Sequence, residues 1–210
     1  MRKKIIGNAE LYLGDCMDYM KDCDDNAFDL AIVDPEYRDK NQPTKQMRKI
    51  GGIERFSGKP KSDYFSELFR VSKDQIIWGA NNFIEHLFNT NCFIFWDKKN
   101  PCANYSDGEL AWTSFQKVAR RITITQFGAH RSDHHVIHPT QKPIKLYEWL
   151  LTNYAKPDQR ILDTHLGSGS SAIAAHYFGC EFVGIELDED YYNAAVQRIT
   201  DQTKQLDLLA

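Results

Sequence analysis

The sequence predicts an α/β fold with a seven-stranded, mostly parallel sheet and helices on both faces, and three observations carry that expectation. Seven short β-like runs alternate with segments of helical periodicity. Several runs are continuously apolar, Leu-Ala-Ile-Val, Phe-Ile-Phe-Trp and Phe-Val-Gly-Ile among them, as strands covered on both faces are. The 210 residues leave no second core, so residues 1–210 are expected to form a single domain.

The strands fall at residues 9–15, 28–34, 75–80, 92–98, 122–127, 160–165 and 181–187. Asp63 is placed to cap a helix over residues 64–71, whose apolar positions 64, 65, 68 and 69 share a face. Pro143 stands where a first helical residue would, ahead of Ile144, Tyr147, Leu150, Leu151 and Tyr154 on one side. Residues 170–178 read as a helix stopped by Gly179, and residues 189–203 as a last helix after the last strand. Trp78, Trp96, Trp112 and Trp149 fall within these patterns as core or core-edge residues.

Charge and cysteine content exclude several classes. Lys and Arg number 26 against 29 Asp and Glu, a net charge of −3 that argues against a histone-like protein. Two apolar residues follow the initial charges, too few for a secretory leader, and no apolar run approaches the roughly 18 residues of a membrane span. Cys16, Cys23, Cys92, Cys102 and Cys180 are odd in number and contain no C-x-x-C, the usage of free thiols in a reducing cytoplasm. His130, His134, His135 and His138 match no common zinc spacing, so no metal is expected, and Arg131 among them is a candidate phosphate contact.

Residues 38–61 fit no element. They carry eight Lys and Arg against Asp39 and Glu54, a net +6, which leaves −9 for the rest of the chain. A loop this long is uncommon in a compact domain unless it is functional or disordered. It is expected to meet nucleic acid through Arg38, Lys45, Arg48, Lys49 and Arg55; the other reading is a solvated loop with incidental charge. The pairs Lys98-Lys99 and Arg120-Arg121 are weaker candidates of the same kind.

From Arg160 to Ala172 the chain reads as strand, glycine turn and helix start. Gly167 and Gly169 let backbone pass close to a ligand, and the helix start offers unpaired N–H groups. The next strand ends at Glu186, where a carboxylate can accept hydrogen bonds from a ribose diol. Alone, this unit suits NAD, FAD or S-adenosylmethionine. Only one strand and one helix follow it, so upstream chain must complete the sheet. That permuted order leaves no second mononucleotide half for a dinucleotide.

The strand at 28–34 ends in Asp34-Pro35-Glu36-Tyr37, directly before the basic loop. Ligands of open α/β sheets sit beyond the carboxyl ends of strands, so Asp34 and Tyr37 should share a crevice with the glycine turn. The amino group of a nucleobase is a poor nucleophile because its lone pair is delocalised into the ring. A carboxylate on one N–H and the Pro35 carbonyl on the other would favour the nucleophilic form and stabilise charge developing on nitrogen. Tyr37 could stack on a base extruded from its duplex.

At this point the chain resembles the amino-methyltransferases of DNA, in the group whose catalytic tetrapeptide precedes the cofactor-binding turn. The (D/N/S)-P-P-(Y/F/W) tetrapeptide is matched at 34, 35 and 37, and the D-x-F-x-G-S-G turn by Asp163, Gly167, Ser168 and Gly169. Residues 138–143, H-P-T-Q-K-P, followed by Leu146, match an element that precedes that turn, and Gly14-Asp15-Cys16 resembles an adenine-contacting strand end. The resemblance implies a Rossmann-like methyltransferase fold of seven strands and methyl transfer from S-adenosylmethionine, most often to adenine N6 when the tetrapeptide starts with Asp. It implies catalytic roles for Asp34, Pro35 and Tyr37. Cofactor contacts would come from Asp15, Cys16, Thr140, Lys142, Asp163, His165, Gly167, Ser168, Gly169, Ser170 and Glu186. A flexible lysine point charge at 142 suits the methionine carboxylate. Double-stranded DNA is the implied partner, and relatives in the group often form homodimers.

Two positions depart from the pattern: Glu36 replaces the second proline and His165 the phenylalanine of the turn. Proline would fix φ and stiffen the loop, whereas Glu36 loosens it and adds an anion. Either the backbone keeps its shape without proline, or the chain is a non-catalytic, phage-type module binding S-adenosylmethionine and DNA. A methyltransferase acting on RNA or protein is a third reading, which Asp at 34 disfavours.

Overall fold

Nine strands, two more than expected, build one sheet in a computed structural model that describes residues 1–37, 58–99, 106–125 and 136–204. The strands are β1 (Arg2–Ile6), β2 (Ala9–Leu13), β3 (Phe28–Val33), β4 (Ser72–Trp78), β5 (Phe93–Asp97), β6 (Gly108–Thr113), β7 (Arg120–Thr123), β8 (Arg160–Asp163) and β9 (Glu181–Glu186). The helices are α1 (Cys16–Lys21), α2 (Ser62–Val71), α3 (Ile144–Tyr154), α4 (Ser170–Phe178) and α5 (Glu189–Lys204). Across the sheet the order is β1-β2-β9-β8-β3-β4-β6-β5-β7. The run from β2 to β4 is parallel; β1 and β6 pair antiparallel with their neighbours, and β7 joins β5 in parallel.

The strand count of seven is therefore corrected to nine. β1 escapes an apolar pattern because four of its five residues are exposed. It hairpins onto β2 through Gly7-Asn8, with Gly7 at φ +53, and its Arg2, Lys3 and Lys4 blunt the edge against further pairing. β6 begins on glycine and an acid and buries only its last three positions. Asp63 is corrected too: it lies inside the first turn of α2, and Lys61 occupies the cap position. α2 runs straight into β4, so that strand starts three residues earlier than expected.

Alternation along the parallel strands divides the core. Leu30, Ile32, Ile76, Trp78, Ile161 and Phe182 face α3, α4 and α5, whereas Ala31, Val33, Ile77, Leu162, Val183 and Ile185 face α1 and α2. Helices thus cover both faces, as the continuous apolar runs imply. Trp78, Trp96 and Trp112 are buried, and Trp149 packs at the core edge. Cys16, Cys23, Cys92 and Cys180 are free thiols. Among the described residues, no helix is long and apolar enough to cross a membrane, and no cluster of three His, Cys, Asp or Glu could hold a metal ion. Most of the loop at 38–61, the segment 126–135 with Arg131 and three of the four histidines, and Cys102 lie outside the described residues.

Candidate active site at the carboxyl edge of the sheet

Strand register brings the singled-out residues into one row. β3 sets Ala31 opposite Leu162 of β8, so three residues further on Asp34 comes level with His165. β8 sets Asp163 opposite Gly184 of β9, and β2 sets Leu13 opposite Glu186. On the other side Val33 faces Ile77 of β4, which brings Pro35 level with Gly79. Asp15, Glu186, the glycine turn, the tetrapeptide and Gly79 thus occupy adjacent strand ends, where ligands of open α/β sheets sit.

Buried carboxylates build the glycine turn. Asp163 accepts the His165 backbone N–H (3.0 Å) and the Ser171 hydroxyl (2.6 Å), and burial pushes its pKa up to about 7. Glu186 accepts the Gly167 N–H at 2.8 Å and the Asp188 N–H at 3.0 Å, and burial raises its pKa as well. A carboxylate has four lone-pair sites, so Glu186 keeps capacity for a ribose diol. Gly169 caps α4 at φ +74, and a Cβ there would stand 2.7 Å from Ile199 Cδ1 of α5. Arg198 on the same helix donates to the Ser168 carbonyl (2.8 Å) and the Ser170 hydroxyl (3.0 Å). His165 is neutral, pushed down to about 4 by burial; its Nδ1 lies 2.9 Å from Thr164 Oγ1, which also meets the Tyr64 hydroxyl at 2.7 Å.

The other cofactor candidates border this turn. Asp15 caps α1 by accepting the Met17 N–H (2.8 Å), and Gly14 donates to the Glu186 carbonyl (2.9 Å). Burial pushes the Cys16 thiol up to about 12, so it acts as a small packing group and not as a nucleophile. His138 lies 3.6 Å from where a Gly167 Cβ would be, with its ring 4.4 Å from Tyr191 and its Nδ1 3.1 Å from the Thr140 hydroxyl. Burial, aided by Lys142, pushes His138 down to about 4. The H-P-T-Q-K-P element therefore rests on the glycine turn it precedes in sequence.

Asp34 is largely withdrawn from water, which raises its pKa against the pull of Lys142. Its Oδ2 is paired with the Lys142 ammonium, while Oδ1 is buried and has no hydrogen-bond partner among the described residues. Lys142 also reaches Glu109 of β6 at 3.1 Å, and Glu109 is paired with Lys98. Against its burial, Lys142 and Lys98 hold Glu109 down at about 2. Lys98 is only 8% exposed and bound inward, which removes it as a DNA contact; Lys99, Arg120 and Arg121 are exposed. The Tyr37 ring packs on Gly79, and Glu36 accepts the Gly58 N–H at 3.1 Å. Burial pushes Glu36 up to about 7, with the Glu186 charge adding to the shift.

Glu109, Gly79 and Arg198 have no distinguishing spacing in the sequence, and Lys98 stands out there only as half of a lysine pair. A hollow of about 350 Å³ opens at the other end of the strands, lined by Glu10, Asp158, Arg160 and Glu181 among others. It contains none of the motif residues. Arg38, Lys45, Arg48, Lys49, Arg55 and Arg131 lie outside the described residues.

Comparison with known proteins shows the family and the fold. The model of the DNA methylase family, N6/N4 type, matches residues 17–197. The YubD protein of Escherichia coli (strain K12) is 27% identical over 218 residues, covering 89% of this chain and 88% of that protein. Among solved structures, M1.HpyAVI in complex with SAM (S-adenosylmethionine) is similar at a TM-score of 0.64 and 22% identity, covering 91% of this chain and 98% of that one. The PvuII DNA methyltransferase, described as cytosine-N4-specific, is similar at 0.65 and 14%, covering 95% and 92%. Both structural likenesses show a shared fold.

Proposed function

The chain belongs to the DNA methylase family of N6/N4 type, and from that premise we propose that it transfers a methyl group from S-adenosylmethionine to the exocyclic amine of a base flipped out of duplex DNA. The single observation that carries this reading is Asp34 at the strand end beside the glycine turn, with one carboxylate oxygen held and the other without a partner among the described residues. A buried acceptor without a donor costs free energy until a ligand N–H fills it.

The residues present fit the cofactor. Gly167, at φ +52, adds no side chain to the turn, and Glu186 and Asp15 offer acceptors beside it. Cys16 follows Asp15 at the start of α1, and the Thr140 hydroxyl meets the His138 ring that lies over Gly167. When bound, S-adenosylmethionine supplies an electrophilic methyl group. Asp34 Oδ1 accepts one amine N–H and the Pro35 carbonyl the other, which localises the nitrogen lone pair. The carboxylate then stabilises positive charge as it develops on that nitrogen. Tyr37 stacks on the flipped base, a contact worth roughly 1–3 kcal/mol in single-strand binders. Arg38, Lys45, Arg48, Lys49, Arg55 and Arg131 supply phosphate contacts through charge alone.

Adenine N6 is the proposed target, from Asp in the first position of the tetrapeptide; cytosine-N4 specificity is a property of the PvuII enzyme. The non-catalytic reading rested on Glu36. Its bond to Gly58 restrains the backbone beside Tyr37, the part a second proline would play, and this favours turnover. Incubation with labelled S-adenosylmethionine and mixed-sequence duplex DNA, followed by nucleoside separation, tests the proposal. Label in N6-methyladenine is expected, and label in N4-methylcytosine would reassign the base. No incorporation above a Tyr37→Ala control, with cofactor binding intact, would overturn the enzyme reading.

A further inference from the structure

The Asp34–Lys142 pair continues into β6. Lys142 Nζ lies 3.1 Å from Glu109 and is also paired with Asp34; Glu109 is in turn paired with Lys98. The two ammonium groups lie over two indole rings, Lys142 5.5 Å from the centre of Trp78 and Lys98 4.9 Å from that of Trp96. Those rings meet edge to face at 6.3 Å. Two cations and two anions alternate in a site walled by aromatic carbon, and their formal charges sum to zero.

Resting on the methyltransferase reading, we propose that Glu109 is a positioning residue for the transfer: by sharing the Lys142 ammonium with Asp34, it keeps Asp34 Oδ2 anchored and Oδ1 free for the amine. The sharing matters because an ammonium held by Asp34 alone would neutralise the carboxylate and weaken it as an acceptor. An ammonium held by Glu109 alone would leave Asp34 buried without a counter-charge. Lys98 sets the balance by satisfying the other side of Glu109. The backbone enforces this placement: Trp96 faces Glu109 across the β5–β6 pair, and a Cβ on Gly108 would lie 2.2 Å from the Trp96 carbonyl. Only glycine at 108 lets the strands approach closely enough to set Glu109 against Lys98.

The charged and titratable groups acting on Asp34 are Lys142 from the segment before α3, Glu109 from β6, Lys98 after β5 and Asp163 from β8. Tyr64 of α2 and Tyr147 of α3 lie within their field. Substitutions at 98 and 109 leave the others in place, and their effects on Asp34 should have opposite sign. Glu109→Gln releases Lys142 to Asp34, so the Asp34 carboxyl titrates at lower pH and the acid limb of kcat moves down with it. Its kcat plateau should nevertheless fall by about 10²-fold, the size a misplacement of about 1 Å produces, with KM for S-adenosylmethionine unchanged. Lys98→Met lets Glu109 draw Lys142 away, so Asp34 titrates at higher pH.

The experiment is carbon-13 NMR titration of aspartate-labelled full-length protein, wild type and both variants, run beside kcat–pH profiles on duplex DNA. Opposite displacements of the Asp34 titration, with the kcat split in Glu109→Gln, are the expected result. An Asp34 titration that stays put in both variants, or moves the same way in both, would overturn the inference. Should Glu109→Gln fail to fold, the direction in Lys98→Met decides alone. A wild type that transfers no methyl group would sink the functional reading, while the NMR displacements would still judge the role of Glu109.

Discussion

The ring of Tyr37 lies directly on Gly79: a Cβ at that glycine would stand 2.7 Å from Tyr37 Cδ1 and 3.1 Å from Cε1. Gly79 follows β4 at φ +67, so two constraints, backbone and contact, fall on one residue. Gly79→Ala should move the ring and lower methyl transfer by about tenfold, within the roughly 1–3 kcal/mol of a base-stacking contact. Gly179→Ala is the control, since Gly179 sits at φ +84 with nothing within 4 Å. Both variants should lose about 1 kcal/mol of stability to the positive φ. Only the first should lose activity, as thermal melts and methylation rates on the same preparations will show.

Glu36 gives a prediction with a definite sign in pH. Burial raises its pKa from 4.5 to about 7, with Glu186 adding to the shift. A carboxyl raised in the folded state contributes stability that is complete below pH 4.5 and is lost as pH rises to 7. Glu36→Gln does not titrate and keeps an acceptor for the Gly58 N–H. It should match wild type at pH 4 and exceed it at pH 8 by about 1 kcal/mol, a figure discounted for the partial exposure of the side chain. Urea denaturation at the two pH values, without cofactor, measures this. A variant less stable at pH 8 would mean that the charged bond to Gly58 outweighs the burial of Glu36.

The parts of the molecule legible in the sequence are those written locally. β3, β4, β8 and β9 are apolar on both faces, Asp34 and Gly167 follow the strands that carry them and Glu186 ends its own, so pattern and spacing reach both fold and site. β1 was hidden because an exposed edge strand needs no apolar alternation. β6 was hidden because its first charged residue, Glu109, has its partner Lys142 thirty-three positions away. Lys98 looked like a DNA contact for the same reason: its charge is visible in sequence, but its neutraliser is not. The contacts of Tyr37 with Gly79 and of Gly169 with Ile199 likewise exist only once the strands and helices are in register.

The basic stretch at 38–61 makes a prediction that rests on charge alone. A protein that neutralises Z phosphates of B-DNA shows a log–log salt slope of about −0.9Z. Replacing Arg48 and Lys49 with Ala should flatten the slope by about 2 and weaken binding at low salt without altering the sequence bound. Fluorescence anisotropy across a salt series reads both quantities. Unchanged affinity at low salt would remove these residues from the DNA interface.

Asp34 and Lys142 should fail in different ways when they are replaced. Asp34→Asn keeps the shape and leaves Lys142 paired with Glu109 at 3.1 Å, so no buried cation is stranded. It removes the anion that faces charge developing on the amine, an effect comparable with deleting one preorganised oxyanion donor. Methyl transfer should drop by about 10²–10³-fold, with cofactor affinity and melting temperature close to wild type. Lys142→Met removes the only cation that contacts Asp34 among the described residues, and half of what neutralises Glu109. Breaking a buried pair from one side typically costs about 3–5 kcal/mol, so this variant should lose stability as well as activity. The loss should be smaller at low pH, where Asp34, whose pKa burial raises, takes up a proton and no longer needs a counter-charge. Calorimetric melts of the two variants at pH 5 and pH 8 separate these effects. A Lys142→Met protein as stable as Asp34→Asn at pH 8 would mean that the pair is solvated and that Asp34 does not depend on it.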